Sequence, residues 1–255
     1  MSRMFAIANQ KGGVGKTTTA VNLAAAFARL NKRVLLVDLD PQGNATVAIG
    51  VEKDELEASA YDLLVGDAKA KSVICQTNVE NLDLIGANGD LTAAEVALLE
   101  ESKGPKRLRK GLKKIRDQYD VIVADCPPTL NMLTLNGLVA ADGILVPVQC
   151  EYFALEGLSA LIDTIEAVQE DLNPDLHLDG LLRTMYDRRN NLANDVSSEL
   201  VAHFGMKVLQ TIVPRNVRLA EAPSHGESIL DYDAGSNGAV AYLALANELK
   251  RKTRL

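Results

Sequence analysis

A chain of 255 residues, 47% hydrophobic and 24% charged, is long enough to bury a substantial core, and with 4% aromatics and no Trp that core must be Val, Leu, Ile and Ala. A net charge of −7 argues against indiscriminate polyanion binding, although basic residues gather at 103–116, 183–189, 215–218 and 250–254. No uncharged apolar run reaches membrane-spanning length and no signal-peptide core precedes the first loop; Cys75, Cys126 and Cys150 lack metal-ligand spacing and point to a reducing, cytosolic setting. In chain order, a predicted strand over 4–9 runs through a glycine loop into a helix over 18–30, and a second strand over 33–38 opens an aperiodic stretch to residue 50. Strand 82–87 precedes helices 92–101 and 107–118; strand 120–125 precedes helix 130–140. Strand 143–148 and helix 155–172 follow, then strand 178–186, helix 192–204 and strand 208–213. A second aperiodic stretch, 215–237, leads to a last helix over 239–250. Nearly continuous apolar strands alternating with amphipathic helices predict an α/β fold, a mostly parallel twisted sheet with helices on both faces. With no repeat, linker or low-complexity segment, residues 1–255 read as one domain. Ligands in such folds sit at the C-terminal ends of the strands.

Three strand exits carry chemistry. The first is Gln10-Lys11-Gly12-Gly13-Val14-Gly15-Lys16-Thr17-Thr18-Thr19, a glycine turn between strand and helix whose backbone N–H groups can converge on phosphate oxygens. In a P-loop, Lys16 reaches the β- and γ-phosphates and the Thr17 hydroxyl holds Mg²⁺. Gln10 stands where that pattern has its first glycine, and Lys11 is an additional lysine. The second exit, Asp38-Leu39-Asp40-Pro41-Gln42-Gly43-Asn44, suits Mg²⁺ and water positioning, although Asp-Pro and Gly-Asn also favour a plain turn. The third is an apolar strand ending in Asp125-Cys126-Pro127-Pro128, the Walker B arrangement, in which the carboxylate holds Mg²⁺ directly or through water.

Together these motifs resemble the ParA/MinD deviant Walker-type ATPases. The segments 147–157, Thr184-Met185-Tyr186-Asp187 and Val213-Pro214-Arg215-Asn216-Val217-Arg218 through Gly226 resemble the chromosomal ParA, or Soj-like, branch. The likeness runs from about residue 4 to 249; Arg183 departs from the branch's apolar or small residue, and Asn131-Met132 varies a helix start. The resemblance implies ATP and Mg²⁺ as cofactors and a homodimer formed on ATP binding. In that scheme Lys11 reaches the partner's phosphates, as an arginine finger does, Asp40 positions the hydrolytic water and Asp125 supports Mg²⁺. It further implies ATP contacts from Lys11, Gly12, Gly13, Val14, Gly15, Lys16, Thr17 and Thr18, with Pro214 and Asn216 framing the base and Gly12 at the dimer seam. The catalytic set is Lys11, Lys16 and Asp40; the metal set is Thr17 and Asp125.

The same resemblance implies DNA binding without sequence preference, a ParB-type DNA-bound stimulator and a cytoplasmic, nucleoid-associated protein. Arg188, Arg189, Arg215 and Arg218 are the DNA-binding candidates, Arg189 and Arg218 foremost, against the ordinary fate of a surface arginine in an ion pair. The basic run 103–116 carries Leu108, Leu112 and Ile115 at helical spacing, so a helix packed on the sheet with a solvated face is expected there. The alternative of a MinD-like membrane-associated positioning ATPase would need a bulky amphipathic end, and the last helix offers Leu and Ala followed by a basic tail without Phe or Trp. A metabolic P-loop enzyme would need a second substrate motif. The start so close to the first strand also leads us to expect no operator-reading helix-turn-helix.

Overall fold

The apolar runs become the central strands of the structure, a computed structural model that describes residues 2–66 and 68–255 and, for Glu156, the backbone alone. The strands are β1 (Arg3–Ile7), β2 (Val34–Asp38), β3 (Ile74–Gln76), β4 (Leu82–Ile85), β5 (Val121–Asp125), β6 (Gly143–Gln149), β7 (His177–Tyr186) and β8 (Val208–Pro214). Among the described residues they form one sheet in the order β3-β4-β2-β5-β1-β6-β7-β8, parallel throughout except for β3 against β4. The helices are α1 (Lys16–Arg29), α2 (Asn44–Ala48), α3 (Ala60–Leu64), α4 (Leu91–Glu100), α5 (Arg107–Leu112), α6 (Met132–Ala140), α7 (Ala154–Asp171), α8 (Asn191–Phe204), α9 (Val217–Glu221), α10 (Ile229–Tyr232) and α11 (Asn237–Thr253).

Alternation along each strand feeds two cores. Phe5, Ile7, Val34, Leu36, Val121 and Val123 face one side, where α1 and α11 pack, with the Phe27 ring 6.0 Å from Phe5 and the Tyr242 hydroxyl 3.2 Å from that of Thr19. Met4, Ala6, Leu35, Val37, Ile122 and Ala124 face the other, against α4 to α8. Burial on both faces explains why these strands carry no polar alternation.

The differences from the expected elements have local causes. The three-residue β3 and the one-turn helices α2, α3, α9 and α10 are shorter than any periodic window. The helix expected over 107–118 stops at Leu112, and 116–118 is a separate 3₁₀ turn. Gly111 weakens that helix, and its missing side chain makes room for Leu63, whose Cδ1 would lie 2.7 Å from an added Cβ. Asn131 is the cap of α6, its Oδ1 accepting from the N–H groups of Leu133 at 3.1 Å and Thr134 at 3.0 Å. Arg183 ties β7 to its neighbours, donating to Ser197 Oγ at 3.0 Å and to the Leu209 carbonyl at 2.8 Å.

Candidate functional site

The exits of β1, β2 and β5 lie side by side, which brings the three motifs together: Ile7 is lateral to Asp125, and Asp125 to Asp38. Gly13 (φ 74°) and Gly15 (φ 88°) hold the left-handed backbone that the turn into α1 requires. No side chain caps α1 and no acid occupies its first turn, so the leading N–H groups and the positive end of the dipole are free to receive an anion such as a phosphate. The loop is braced from behind. Asn9 Nδ2 donates to the Pro147 carbonyl at 2.7 Å, Asn9 Oδ1 accepts from Lys11 N at 3.0 Å, and Thr184 Oγ1 donates to the Val14 carbonyl at 2.8 Å.

The two lysines are held differently. Lys16 is buried, and its Nζ crosses the loop to the Lys11 carbonyl at 3.2 Å. Burial pushes that ammonium below its ordinary value, against the attraction of Asp125, Asp40 and Cys126. Lys11 Nζ instead pairs with Glu151 Oε2 at 2.7 Å, just beyond the exit of β6.

The two aspartates at the exit of β2 sit in different surroundings. Asp38 is wholly buried and organises the loop, accepting from Asp40 N at 3.1 Å, Thr46 N at 2.9 Å and Thr46 Oγ1 at 2.8 Å. Burial nonetheless pushes its carboxyl up to about 6, those hydrogen bonds opposing. Asp40 is also buried, with Oδ1 accepting from Gln42 N at 2.9 Å and the Lys16 ammonium in its field.

Asp125 has the most telling environment. It is fully buried and neither carboxylate oxygen has a hydrogen-bond partner. Burial, then the charges of Asp38 and Asp40, push it well above the ordinary range, and the nearby Thr17 hydroxyl and Lys16 pull the other way without bonding either oxygen in ordinary geometry. An orphaned buried carboxylate beside a threonine and a phosphate-binding turn fits a hydrated Mg²⁺ that would satisfy it. Thr17 and Asp125, the two metal candidates, therefore meet.

On the far side of the loop lies a mainly apolar pocket of ≈ 370 Å³. Gly15, Thr18, Thr184, Met185, Pro214 and Asn216 are among the residues that line it. Its size and lining suit a nucleobase. Asn216 also caps α9, its Oδ1 accepting from Arg218 N at 2.8 Å. Sequence reasoning did not assign Asn9, Glu151, Thr184 or Met185 to the site. The signal was faint: Met185 is a non-glycine residue at φ 48°, and Glu151 follows the exit of β6.

The four arginines do not share one environment. Arg188, Arg189 and Arg215 lie near the ends of β7 and β8, and Arg218 lies on α9. Arg189 forks onto Asp187 at 2.8 and 3.0 Å; Arg218 pairs with Glu221 at 2.9 Å and reaches Asp233 at 3.6 Å. These pairs are exposed, so water and salt screen them and a phosphate can displace the carboxylate. The last helix spends its apolar face on the core: Tyr242, Leu245, Ala246 and Leu249 are buried. No helix of the described residues is long and apolar enough to cross a membrane.

Comparison with known proteins bears on the family and the fold. An AAA domain family model matches residues 2–178. The sporulation initiation inhibitor protein Soj of Bacillus subtilis is 52% identical over 98% of this chain and 98% of its own. The chromosome-partitioning ATPase Soj of Thermus thermophilus is 51% identical over 99% of this chain and 97% of its own. Among solved structures, a cobyrinic acid a,c-diamide synthase from Mycobacterium smegmatis with bound ADP and magnesium superposes with a TM-score of 0.88, at 39% identity over 100% of this chain and 96% of that one.

Proposed function

The chain belongs to the Soj/ParA family of chromosome-partitioning ATPases, and from that premise we propose that two copies close around ATP, bind DNA in that state and release it on hydrolysis. The observation that carries this reading is the division between the lysines. Lys16 already lies across its own loop, whereas Lys11 is held by Glu151 in a half-exposed pair from which a second molecule's phosphates could draw it. A mobile point charge brought to the partner's γ-phosphate would stabilise charge developing in phosphoryl transfer. In the same scheme Lys16 and the loop N–H groups, from Gly12 and Gly13 through Val14 and Gly15 to Thr17 and Thr18, bind the phosphates; Pro214 and Asn216 frame the base. Thr17 and Asp125 would hold Mg²⁺, which would neutralise phosphate charge. Asp40 orients the attacking water.

Gly12 supports the dimer in a separate way. Its φ is not in the left-handed region, and an added Cβ would meet nothing within 4 Å. Any constraint on its size therefore comes from outside the chain, from the bound nucleotide or from a second copy. Gly12→Val is expected to keep stability within about 0.5 kcal/mol of wild type in thermal melts and to lose the ATP-dependent dimer in light scattering. A normal dimer would remove the close-approach argument.

We assign DNA binding to Arg189 and Arg218, with Arg188 and Arg215 beside them, and the release to a ParB-type DNA-bound stimulator at the nucleoid in the cytoplasm. DNA retention with ATP across a salt series tests the assignment. Arg189→Glu and Arg218→Glu are each expected to weaken retention on any sequence and to flatten the log–log salt dependence by about one for each phosphate that the arginine no longer neutralises. Unchanged retention and slope in both variants would refute the assignment.

A further inference from the structure

ADP and ATP share the base and the first two phosphates, so a pocket that frames the base cannot tell them apart. Pro214 and Asn216 are blind to the γ-phosphate in this sense, and Asn216 is the cap from which Arg218 and α9 begin. The loop that would sense the γ-phosphate is the one carrying Asp40.

That loop is a stiff unit. Asp38 fixes Asp40 and Thr46, Thr46 Oγ1 accepts from Ala87 N at 2.9 Å, and Gly50 N donates to the Val47 carbonyl at 3.0 Å. The Arg218 segment is a second unit, in which α9 runs directly into a 3₁₀ turn, Ala222–His225, that closes at Gly226. Glycine meets glycine where the two touch. Gly50 has φ +83°, and a Cβ on it would lie 2.8 Å from the Gly226 carbonyl oxygen; Gly226 has φ +66°, and a Cβ on it would lie 2.7 Å from Gly50 Cα. Neither position accepts a side chain without backbone movement, because backbone packs on backbone with nothing flexible between. Beside the junction is a polar pocket of ≈ 520 Å³, lined by Glu52, Asn78, Pro223 and His225 among others, which leaves the junction room to shift.

We propose that the Gly50–Gly226 contact carries the state of the Asp40 loop to the Arg218 segment, so that these glycines are positioning residues that make α9 respond to the γ-phosphate. Its output rests on Arg218 as a DNA-binding residue; the relay itself does not. A displacement of Asp40 and α2 on sensing the γ-phosphate moves Gly50, and Gly226 follows because it cannot interpenetrate. Such a relay acts within one chain, before or alongside pairing with a second.

Hydrogen exchange read by mass spectrometry tests this on the full chain, dilute enough that light scattering reports a monomer, with Mg²⁺ and either ADP or a non-hydrolysable ATP analogue. In wild type, the peptide covering 217–227 is expected to exchange differently with the two nucleotides, as is the peptide covering 40–50. In Gly50→Ala and Gly226→Ala, checked by unaltered ADP affinity, the difference at 217–227 is expected to vanish while that at 40–47 remains. Persistence of the 217–227 difference in both variants overturns the relay. Where neither variant holds ADP normally, wild type decides: a difference confined to 40–50 overturns it, and one that reaches 217–227 upholds it. Should the Arg189 and Arg218 variants retain DNA normally while this exchange pattern holds, the DNA reading fails and the relay does not.

Discussion

Asp40→Ala is expected to bind ATP with near wild-type affinity and to turn it over about 10²- to 10³-fold more slowly, the ordinary cost of removing a group that positions or deprotonates a nucleophile. The expectation depends on how Asp38 and Asp40 divide their work. Asp38 is buried and accepts three hydrogen bonds that hold the loop, so the loop keeps its course without the Asp40 carboxylate. The turn before α1 likewise makes no hydrogen bond to it, and Lys16 feels it only through its charge, beside that of Asp125. Phosphate release under single-turnover conditions, set beside binding of a fluorescent ATP analogue, reads the two effects separately. Asp38→Ala is the contrast: it strands the Asp40 and Thr46 N–H groups and the Thr46 hydroxyl, and should lower stability first. Wild-type turnover in Asp40→Ala would move the water-positioning role elsewhere.

Asp125→Asn is expected to separate stability from activity. Burial raises the Asp125 carboxyl, and that of Asp38 to about 6, so between the ordinary carboxylate value of 3.8 and the raised values the folded chain binds more protons than the unfolded one. The stability gained from those protons is complete below the ordinary value and is lost as pH rises through the raised ones. For these two groups, therefore, the nucleotide-free chain should melt higher as pH falls from 8 towards 5. Asn keeps the shape without the charge. The variant should flatten that dependence and, near pH 8 with a chelator present, be more stable than wild type by about 1–2 kcal/mol. It should also lose Mg²⁺-dependent ATPase activity by about 10- to 100-fold, as metal-site partners do. Melting curves across pH and turnover across Mg²⁺ concentration check both halves. A variant that melts lower than wild type at pH 8 would show that the buried charge is satisfied after all.

Much of the site was legible because P-loop chemistry is local. Lys16, Thr17 and the left-handed Gly13 and Gly15 stand in one short stretch of chain, and β5 announces Asp125 by ending an apolar run. Pro214 and Asn216 are far away in the chain, and only the motif resemblance linked them to the glycine loop; the fold puts them in one pocket with Gly15 and Thr18. Glu151 went unassigned because its role lies in a distance to Lys11, 140 positions away. The motif resemblance singled out Asp40 but gave Asp38 no task, because its hydrogen bonds to Asp40 and Thr46 show only in the folded loop.

The sequence by itself determined the fold class, the order of the principal elements and the family, because each is encoded in periodicity or in contiguous residues whose backbone geometry is local. The tertiary structure decided what depends on crossing strands: the lateral meeting of Asp38 with Asp125, the orphaned carboxylate, the capture of Lys11 by Glu151 and the contact of Gly50 with Gly226. Those relations join residues far apart in the chain. They follow from sheet order and from space left after packing, which no local pattern records.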